Sequence, residues 1–115
     1  MALDDLMLRA YDRKKYNCLS FAADVWLELT GKDDLRKASS FFPQGEGQKA
    51  KSVFRRIDKP VSPCLALFKS KREHHIGVWH EGRVLHLSDN GAVYQFLDVI
   101  MLSFDSVRFY DAKYA

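Results

Sequence analysis

The sequence predicts an α+β fold in which helices come first and an antiparallel β-meander follows. Two observations support this order. Apolar residues recur at helical spacing in the first part of the chain, and after Pro60 they alternate with polar residues. Short turn motifs separate the alternating segments, as expected for antiparallel strands that are neighbours in the sheet.

Two helices are predicted near the N-terminus. Residues 2 to 13 have apolar side chains at helical spacing and predict a short amphipathic helix. The segment NCLSFAADVWLELTGK predicts the best-defined helix, because Asn17 can cap its start and Thr30-Gly31 can end it. Its apolar residues cover most of the helix circumference, so we expect this helix to be central and largely buried.

A loop and a third helix are predicted before the strands. Residues 39 to 48, SSFFPQGEGQ, have the proline and glycine content of a loop, and residues 48 to 57, QKAKSVFRRI, predict a more exposed helix. Five strands are then predicted, namely CLALF, HIGVWH, RVLHLS, VYQFL and VRFY. Glu81-Gly82 and Asp89-Asn90-Gly91 supply turns between three of them. We expect the sheet to bury one face against the helix that begins near Cys18.

Length and composition limit the classes of protein to which the chain can belong. Its 115 residues predict a single domain spanning residues 1 to 115. A net charge of +3 is too small to indicate nucleic-acid binding, and no apolar run approaches the roughly 18 to 20 residues of a membrane span. The start, MALDDLMLRA, has acids where a secretory signal needs basic residues, so we expect a cytoplasmic location in the producing cell. The two cysteines are then expected to be free thiols.

All four histidines of the chain lie in the predicted hairpin from His74 to Ser88. If Glu81-Gly82 is a two-residue turn, Gly77 lies opposite His86, and one face of the hairpin carries His75, Gly77 and His86. The two histidines are then diagonal neighbours with Cα atoms roughly 7 to 8 Å apart, close enough for their rings to meet. A three-residue loop would shift the register by one and move His86 to the other face.

Cys18 lies in the first turn of the helix that is predicted to be buried. Unpaired backbone N–H groups and the helix dipole favour negative charge there, so we expect the pKa of this thiol to be lowered. If the His75 face of the sheet packs on the start of the helix, thiol and imidazole meet. A buried structural role is the alternative for Cys18, and it is the expected role of Cys64, which lies in an apolar strand.

Two segments resemble the NlpC-type (NlpC and p-sixty) papain-like cysteine peptidases, many of which cut stem peptides of peptidoglycan. NCLSFAADVW resembles the nucleophile helix of that family, and HIGVWHEGRVLH resembles its histidine hairpin. The resemblance extends from residue 16 to about residue 100 and looks most like the small phage-tail-associated branch. It implies a papain-like fold with the nucleophile helix packed on the meander, and a catalytic triad of Cys18, His75 and His86.

The resemblance also implies a role for each member of the triad. Cys18 would attack an amide carbonyl, His75 would carry the thiol proton to the leaving amine, and His86 would orient His75. The backbone N–H of Cys18 is the expected oxyanion donor. Further candidates for oxyanion or substrate contacts are Tyr11, Tyr16 and Asn17.

We therefore expect a thiol hydrolase that cleaves amide bonds in peptidoglycan stem peptides. Phage-tail proteins are the expected partners, because a tail or another injection device would deliver the protein to the wall. No cofactor, metal, membrane or nucleic acid is expected. Three alternatives stay open: an amidase, deamidase or acyltransferase with the same triad, a zinc site at Cys18, His75 and His86, and a non-catalytic tail component that retains the fold.

Overall fold

A computed structural model describes residues 3–12, 16–38 and 54–112 of the chain. Its helices are α1 (Leu3–Leu6), α2 (Cys18–Thr30), α3 (Asp34–Ala38) and α4 (Leu97–Ile100). Its strands are β1 (Phe54–Ile57), β2 (Cys64–Lys69), β3 (His74–His80), β4 (Arg83–Ser88), β5 (Gly91–Gln95) and β6 (Ser106–Ala112). The predicted α+β class is confirmed. Within these ranges, no helix has both the length and the apolar character needed to cross a membrane.

The six strands form one sheet in the order β1-β6-β2-β3-β4-β5, and every neighbouring pair is antiparallel. Strands β2 to β5 follow one another as the predicted meander. Strand β6 returns to the far side of β2 and pairs with β1 at the sheet edge. This order places β3 and β4, which carry the histidines, between β2 and β5.

The turn between β3 and β4 has the predicted length of two residues. His80 is opposite Arg83, and the central residues Glu81 and Gly82 both have positive φ, at 51° and 86°. Two positive φ values define the type I′ turn, whose twist matches that of a β-hairpin. The register on which the pairing of His75 with His86 depended is therefore confirmed.

Helix α2 has the predicted caps at both ends. Asn17 caps the start, and Gly31 ends the helix at φ 74° by donating its N–H to the Leu27 carbonyl at 2.8 Å. The predicted burial is also confirmed, since five residues in the middle of the helix are buried: Phe21, Ala22, Ala23, Val25 and Trp26.

Helix α2 packs on the face of the sheet that does not carry His75 and His86. Its buried residues form one core cluster with Ile76 and Val78 of β3 and with Leu85 and Leu87 of β4. The condition under which thiol and imidazole were expected to meet, that the His75 face packs on the start of this helix, is therefore not fulfilled. The physical reason is that these four aliphatic side chains form a continuous apolar surface in the hairpin, whereas polar histidines interrupt its other face.

The His75 face is covered by a second core cluster, which the sequence did not predict. Its buried members are Cys64, Ala66, Phe68, Val84, Ile100 and Phe109. Helix α4 contributes Ile100 to this cluster and Phe104 packs beside it. Residues of α4 and the segment after it therefore cover this face, and the sheet is buried on both sides.

The predicted helix over residues 2 to 13 is too long. Helix α1 ends at Leu6, and the next backbone bonds span three residues, from Leu8 to Asp5 and from Arg9 to Leu6, which tightens and ends the turn. Asp12 then exchanges two backbone hydrogen bonds with Tyr16, both at 2.7 Å. This antiparallel bridge holds Asp12 next to Tyr16 just before α2.

The predicted helix over residues 48 to 57 is wrong where the structure describes it, because Phe54–Ile57 is strand β1. Phe54 and Ile57 have the spacing of a helix face, but in β1 they lie on opposite faces of the sheet, one in each core cluster. Pairing with β6 decides the outcome. Residues 48 to 53 and the predicted loop over residues 39 to 48 lie outside the described residues. The predicted strand VYQFL is displaced, since β5 ends at Gln95 and helix α4 begins at Leu97.

Candidate active site

The start of α2 presents a cysteine within a complete side-chain cap. The Oδ1 atom of Asn17 accepts hydrogen bonds from the amides of Leu19 and Ser20, each at 3.1 Å. The Ser20 hydroxyl accepts in return from the Asn17 amide at 3.4 Å, which completes a capping box. The Cys18 amide is not one of these donors and lies beside its own thiol.

The Cys18 thiol lies against the backbone of β3. Burial raises the pKa of this thiol above its ordinary value, and hydrogen bonds from the backbone of Ile76, Leu19 and Cys18 oppose that rise only in part. The Glu73 carboxylate raises it further. The expectation of a lowered pKa is therefore wrong for the resting protein, whose Cys18 is a neutral thiol at neutral pH.

A cleft opens where β3 and β4 cease to pair. The pairing between β3 and β4 ends at Val78 and Leu85. Beyond that point β3 remains paired with β2 as far as His74, and β4 remains paired with β5 as far as Ser88. Cys18 lies at this open end of the hairpin and lines one cleft with His75 and His86. The thiol and the two histidines thus line the same cleft although α2 packs on the opposite face of the sheet.

The two predicted histidines contact each other directly. The Nε2 atom of His75 lies 2.9 Å from Nδ1 of His86, and the two rings meet edge to face with centroids 5.0 Å apart. The Nε2 atom of His86 lies 2.9 Å from Oε1 of Gln95 on β5. The site therefore contains a chain of three hydrogen-bonded side chains, one from each of three neighbouring strands.

Both histidines are neutral at neutral pH. Burial, followed by the proximity of His86, lowers the pKa of His75 to about 4. Burial also lowers the pKa of His86, and the hydrogen bond to Gln95 acts in the opposite direction. The resting site thus pairs a neutral thiol with a neutral imidazole, which can accept a proton.

Aromatic side chains fix the plane of the His75 ring. The Phe104 ring stacks on it with centroids 5.5 Å apart and planes within 9° of parallel. Phe68 lies 6.2 Å away at a tilt of 39°. Together with the hydrogen bond to His86, these contacts restrict rotation of the base, which a site for proton transfer requires.

The cleft has a volume of about 470 Å³ and is open to solvent. Its mouth carries the carboxylates of Glu73 and Asp89, and no lysine or arginine is among its lining residues in the described parts of the chain. One wall is formed by the segment after β5, which contributes Val99, Ile100, Ser103 and Phe104. A substrate that enters the cleft therefore meets apolar side chains on one wall and negative charge at the mouth.

The three further candidates have different positions. Tyr11 lines the cleft, whereas the Tyr16 hydroxyl donates a hydrogen bond to Asp24 at 2.6 Å and Tyr16 is not part of the lining. Burial and that hydrogen bond raise the pKa of Tyr16. The Asn17 side chain is engaged in the helix cap. Only Tyr11 of the three presents its side chain to the cleft.

The remaining histidines do not join the hydrogen-bonded chain. His74 lines the cleft at the start of β3 and is exposed. His80 lies at the other end of the strand, where its Nδ1 atom is 3.3 Å from the Ser62 hydroxyl. As for metal binding, within residues 3–12, 16–38 and 54–112 no three His, Cys, Asp or Glu side chains are grouped so as to hold an ion.

Sequence reasoning missed Gln95 and Phe104. A signal for Gln95 was present, because the two-residue turn at Asp89-Asn90 pairs Val93 with His86 and thereby makes Gln95 a diagonal neighbour of His86. Phe104 lies in the segment after α4, which is not a strand of the sheet and packs against one face of it. No pattern of local spacing predicts that contact.

Comparison with known proteins gives no assignment: no protein-family model, no curated protein and no solved structure matches the chain.

Proposed function

We propose that the protein is a thiol hydrolase with a papain-like arrangement of Cys18, His75 and His86. The observation that carries this proposal is that one cleft is lined both by a cysteine at a helix start and by a buried, neutral, hydrogen-bonded pair of histidines. A nucleophile, a base and a group that orients the base are the parts that covalent acyl transfer requires.

In the first step, His75 accepts the thiol proton while the Cys18 sulfur attacks the carbonyl carbon of an amide. The N–H groups at the start of α2, that of Cys18 first, stabilise the oxyanion, because they and the helix dipole favour negative charge there. The carbon–nitrogen bond then breaks, and His75 returns the proton to the leaving amine. An acyl group remains on the sulfur as a thioester.

In the second step, water attacks the thioester carbonyl, and His75 accepts one of its protons. The carbon–sulfur bond breaks, the acid leaves, and the proton returns from His75 to the Cys18 sulfur. His86 keeps one ring nitrogen of His75 occupied, so the other nitrogen serves the thiol and the water. The neutral resting state suits this route, since both proton transfers begin from an unprotonated His75 nitrogen.

We propose peptidoglycan stem peptides as the substrate and a phage tail or similar injection device as the carrier. The resemblance of NCLSFAADVW and HIGVWHEGRVLH to the NlpC-type peptidases supports this choice. The open cleft has the volume to take a short peptide segment. Glu73 and Asp89 at the mouth favour an ammonium group near the scissile bond over an additional carboxylate.

Purified sacculi and soluble muropeptides of several wall chemotypes test the proposal. They are incubated with the wild type, with Cys18→Ser, and with His80→Gln, whose position lies outside the cleft. We expect new amino termini, detected by mass spectrometry, with the wild type and His80→Gln only. If the wild type releases nothing that Cys18→Ser does not, while its thiol remains reactive, the substrate is wrong. Amidase, deamidase or transferase chemistry on another substrate then takes precedence.

A further inference from the structure

Gln95 terminates the hydrogen-bonded chain that begins at the proposed base. The chain runs from Oε1 of Gln95 to Nε2 of His86 and from Nδ1 of His86 to Nε2 of His75. We propose that Gln95 is a positioning residue that sets the tautomer of both histidines, so that His75 presents its unprotonated Nδ1 atom to Cys18. This inference rests on the proposed function for its catalytic meaning, but the tautomers can be measured without any substrate.

The donors and acceptors in these hydrogen bonds fix the position of each proton. A carbonyl oxygen only accepts, so the Nε2 atom of His86 must carry the proton of the hydrogen bond to Gln95. A neutral imidazole has one N–H, which leaves Nδ1 of His86 as an acceptor. His75 then donates from Nε2, and its own Nδ1 atom is left without a proton.

If these hydrogen bonds ran in the opposite direction, His75 could not act as a base. If the amide nitrogen of Gln95 faced His86, it would donate to Nε2, and His86 would donate from Nδ1 to His75. His75 would then carry its proton on Nδ1 and could not accept a proton from the thiol. A general base held in the wrong tautomer loses most of its catalytic effect. The orientation of one amide thus decides whether His75 can act.

Gln95 sets this polarity without adding charge. A carboxylate at the end of such a chain would also fix the tautomer, but it would stabilise the imidazolium and raise the pKa of the pair. The neutral amide fixes the tautomer but does not raise the pKa in this way. In the described part of the chain, no acid hydrogen-bonds to His75 or His86. A carboxylate introduced at position 95 would therefore change the pKa of the pair while still fixing the tautomer.

The direct test is a long-range ¹H–¹⁵N correlation NMR spectrum of the full chain labelled at histidine. At pH 7 we expect the neutral Nε2–H tautomer for both His75 and His86 in the wild type. Gln95→Met, which has similar length and no amide, should give a mixture of tautomers at His86. The loss of one net hydrogen bond corresponds to a roughly threefold to tenfold change in the tautomer ratio. His80→Gln serves as the control and should leave both signals unchanged.

Gln95→Glu separates positioning from a merely structural role. It retains an acceptor at the same place, so we expect it to keep both Nε2–H tautomers while the titration of the pair moves up by roughly one pH unit. A wild-type Nδ1–H tautomer at either ring, or tautomers in Gln95→Met identical to those of the wild type, would overturn the inference. Tautomers as expected in a protein that fails to cleave muropeptides would instead count against the proposed substrate.

Discussion

The Nε2 atom of His75 lies 2.9 Å from Nδ1 of His86, and the two rings meet at nearly a right angle. This contact joins diagonal positions on β3 and β4, and it depends on a two-residue turn some distance along the hairpin. Because a slip of one residue would place the rings on opposite faces of the sheet, the turn at Glu81-Gly82 is part of what builds the site.

The two cysteines should differ in reactivity. Cys18 lines the cleft, whereas Cys64 is fully buried and burial raises its pKa to about 11. We expect iodoacetamide to label Cys18 in the folded protein at pH 8 and to label Cys64 only after unfolding. Peptide mapping by mass spectrometry measures both rates. Equal labelling of the two cysteines in the folded protein would contradict the assignment of Cys18 as the accessible nucleophile.

The stability of the protein should fall as the pH decreases from 6.5 to 4. Burial holds the pKa of folded His75 at about 4, below the unfolded value of about 6.5, so protons bind preferentially to the unfolded chain in this window. Below pH 4, where the effect is complete, it lowers the free energy of unfolding by on the order of 3 kcal/mol. Urea denaturation at several pH values should show a smaller decrease for His75→Gln than for the wild type. Identical decreases would show that His75 is not buried in its neutral form.

Gly77 should be intolerant of a side chain. A Cβ atom at this position would lie 2.6 Å from Cγ1 of the buried Val84 and 3.1 Å from Cβ of His86. We expect Gly77→Ala to lower the free energy of unfolding by about 1 to 3 kcal/mol and to slow alkylation of Cys18. Gly82→Ala is the control, because it strains the turn at φ 86° but meets no atom within 4 Å. If Gly77→Ala has no effect on either measurement, β3 and β4 do not approach as closely as described.

Glu81 should be replaceable with a gain in stability. It has φ 51°, a left-handed conformation that asparagine adopts more readily than glutamate. Glu81→Asn is expected to raise the free energy of unfolding by about 0.5 to 1 kcal/mol, because it relieves part of this strain. Glu81→Gln removes the charge but keeps the strain, so it should give no such gain. Equal gains for both variants would attribute the effect to charge rather than to the turn.

Local features of the sequence were sufficient to predict the parts of the molecule that local forces determine. Asn17 and Gly31 mark the ends of α2 because capping is a property of a few adjacent residues. The turn at Glu81-Gly82 determines the register of the hairpin and hence the approach of His86 to His75.

The errors concern contacts between distant segments. Phe54 belongs to a strand because β6 pairs with it, and a four-residue segment cannot specify that by its own periodicity. The choice of sheet face beneath α2 and the stacking of Phe104 on His75 likewise depend on how separate elements pack. The burial of the Cys18 thiol against β3 also comes from packing between separate elements, and it reverses the expected direction of the pKa of this thiol.

Acylation with p-nitrophenyl acetate tests whether Cys18 is a nucleophile served by His75. We expect a burst of about one nitrophenolate per protein molecule and an acetyl group on the Cys18 peptide. His75→Gln should lose the burst while remaining folded, and His80→Gln should keep it. A burst of the same size in Cys18→Ser, or an acetyl group on another residue of the wild type, would contradict the claim.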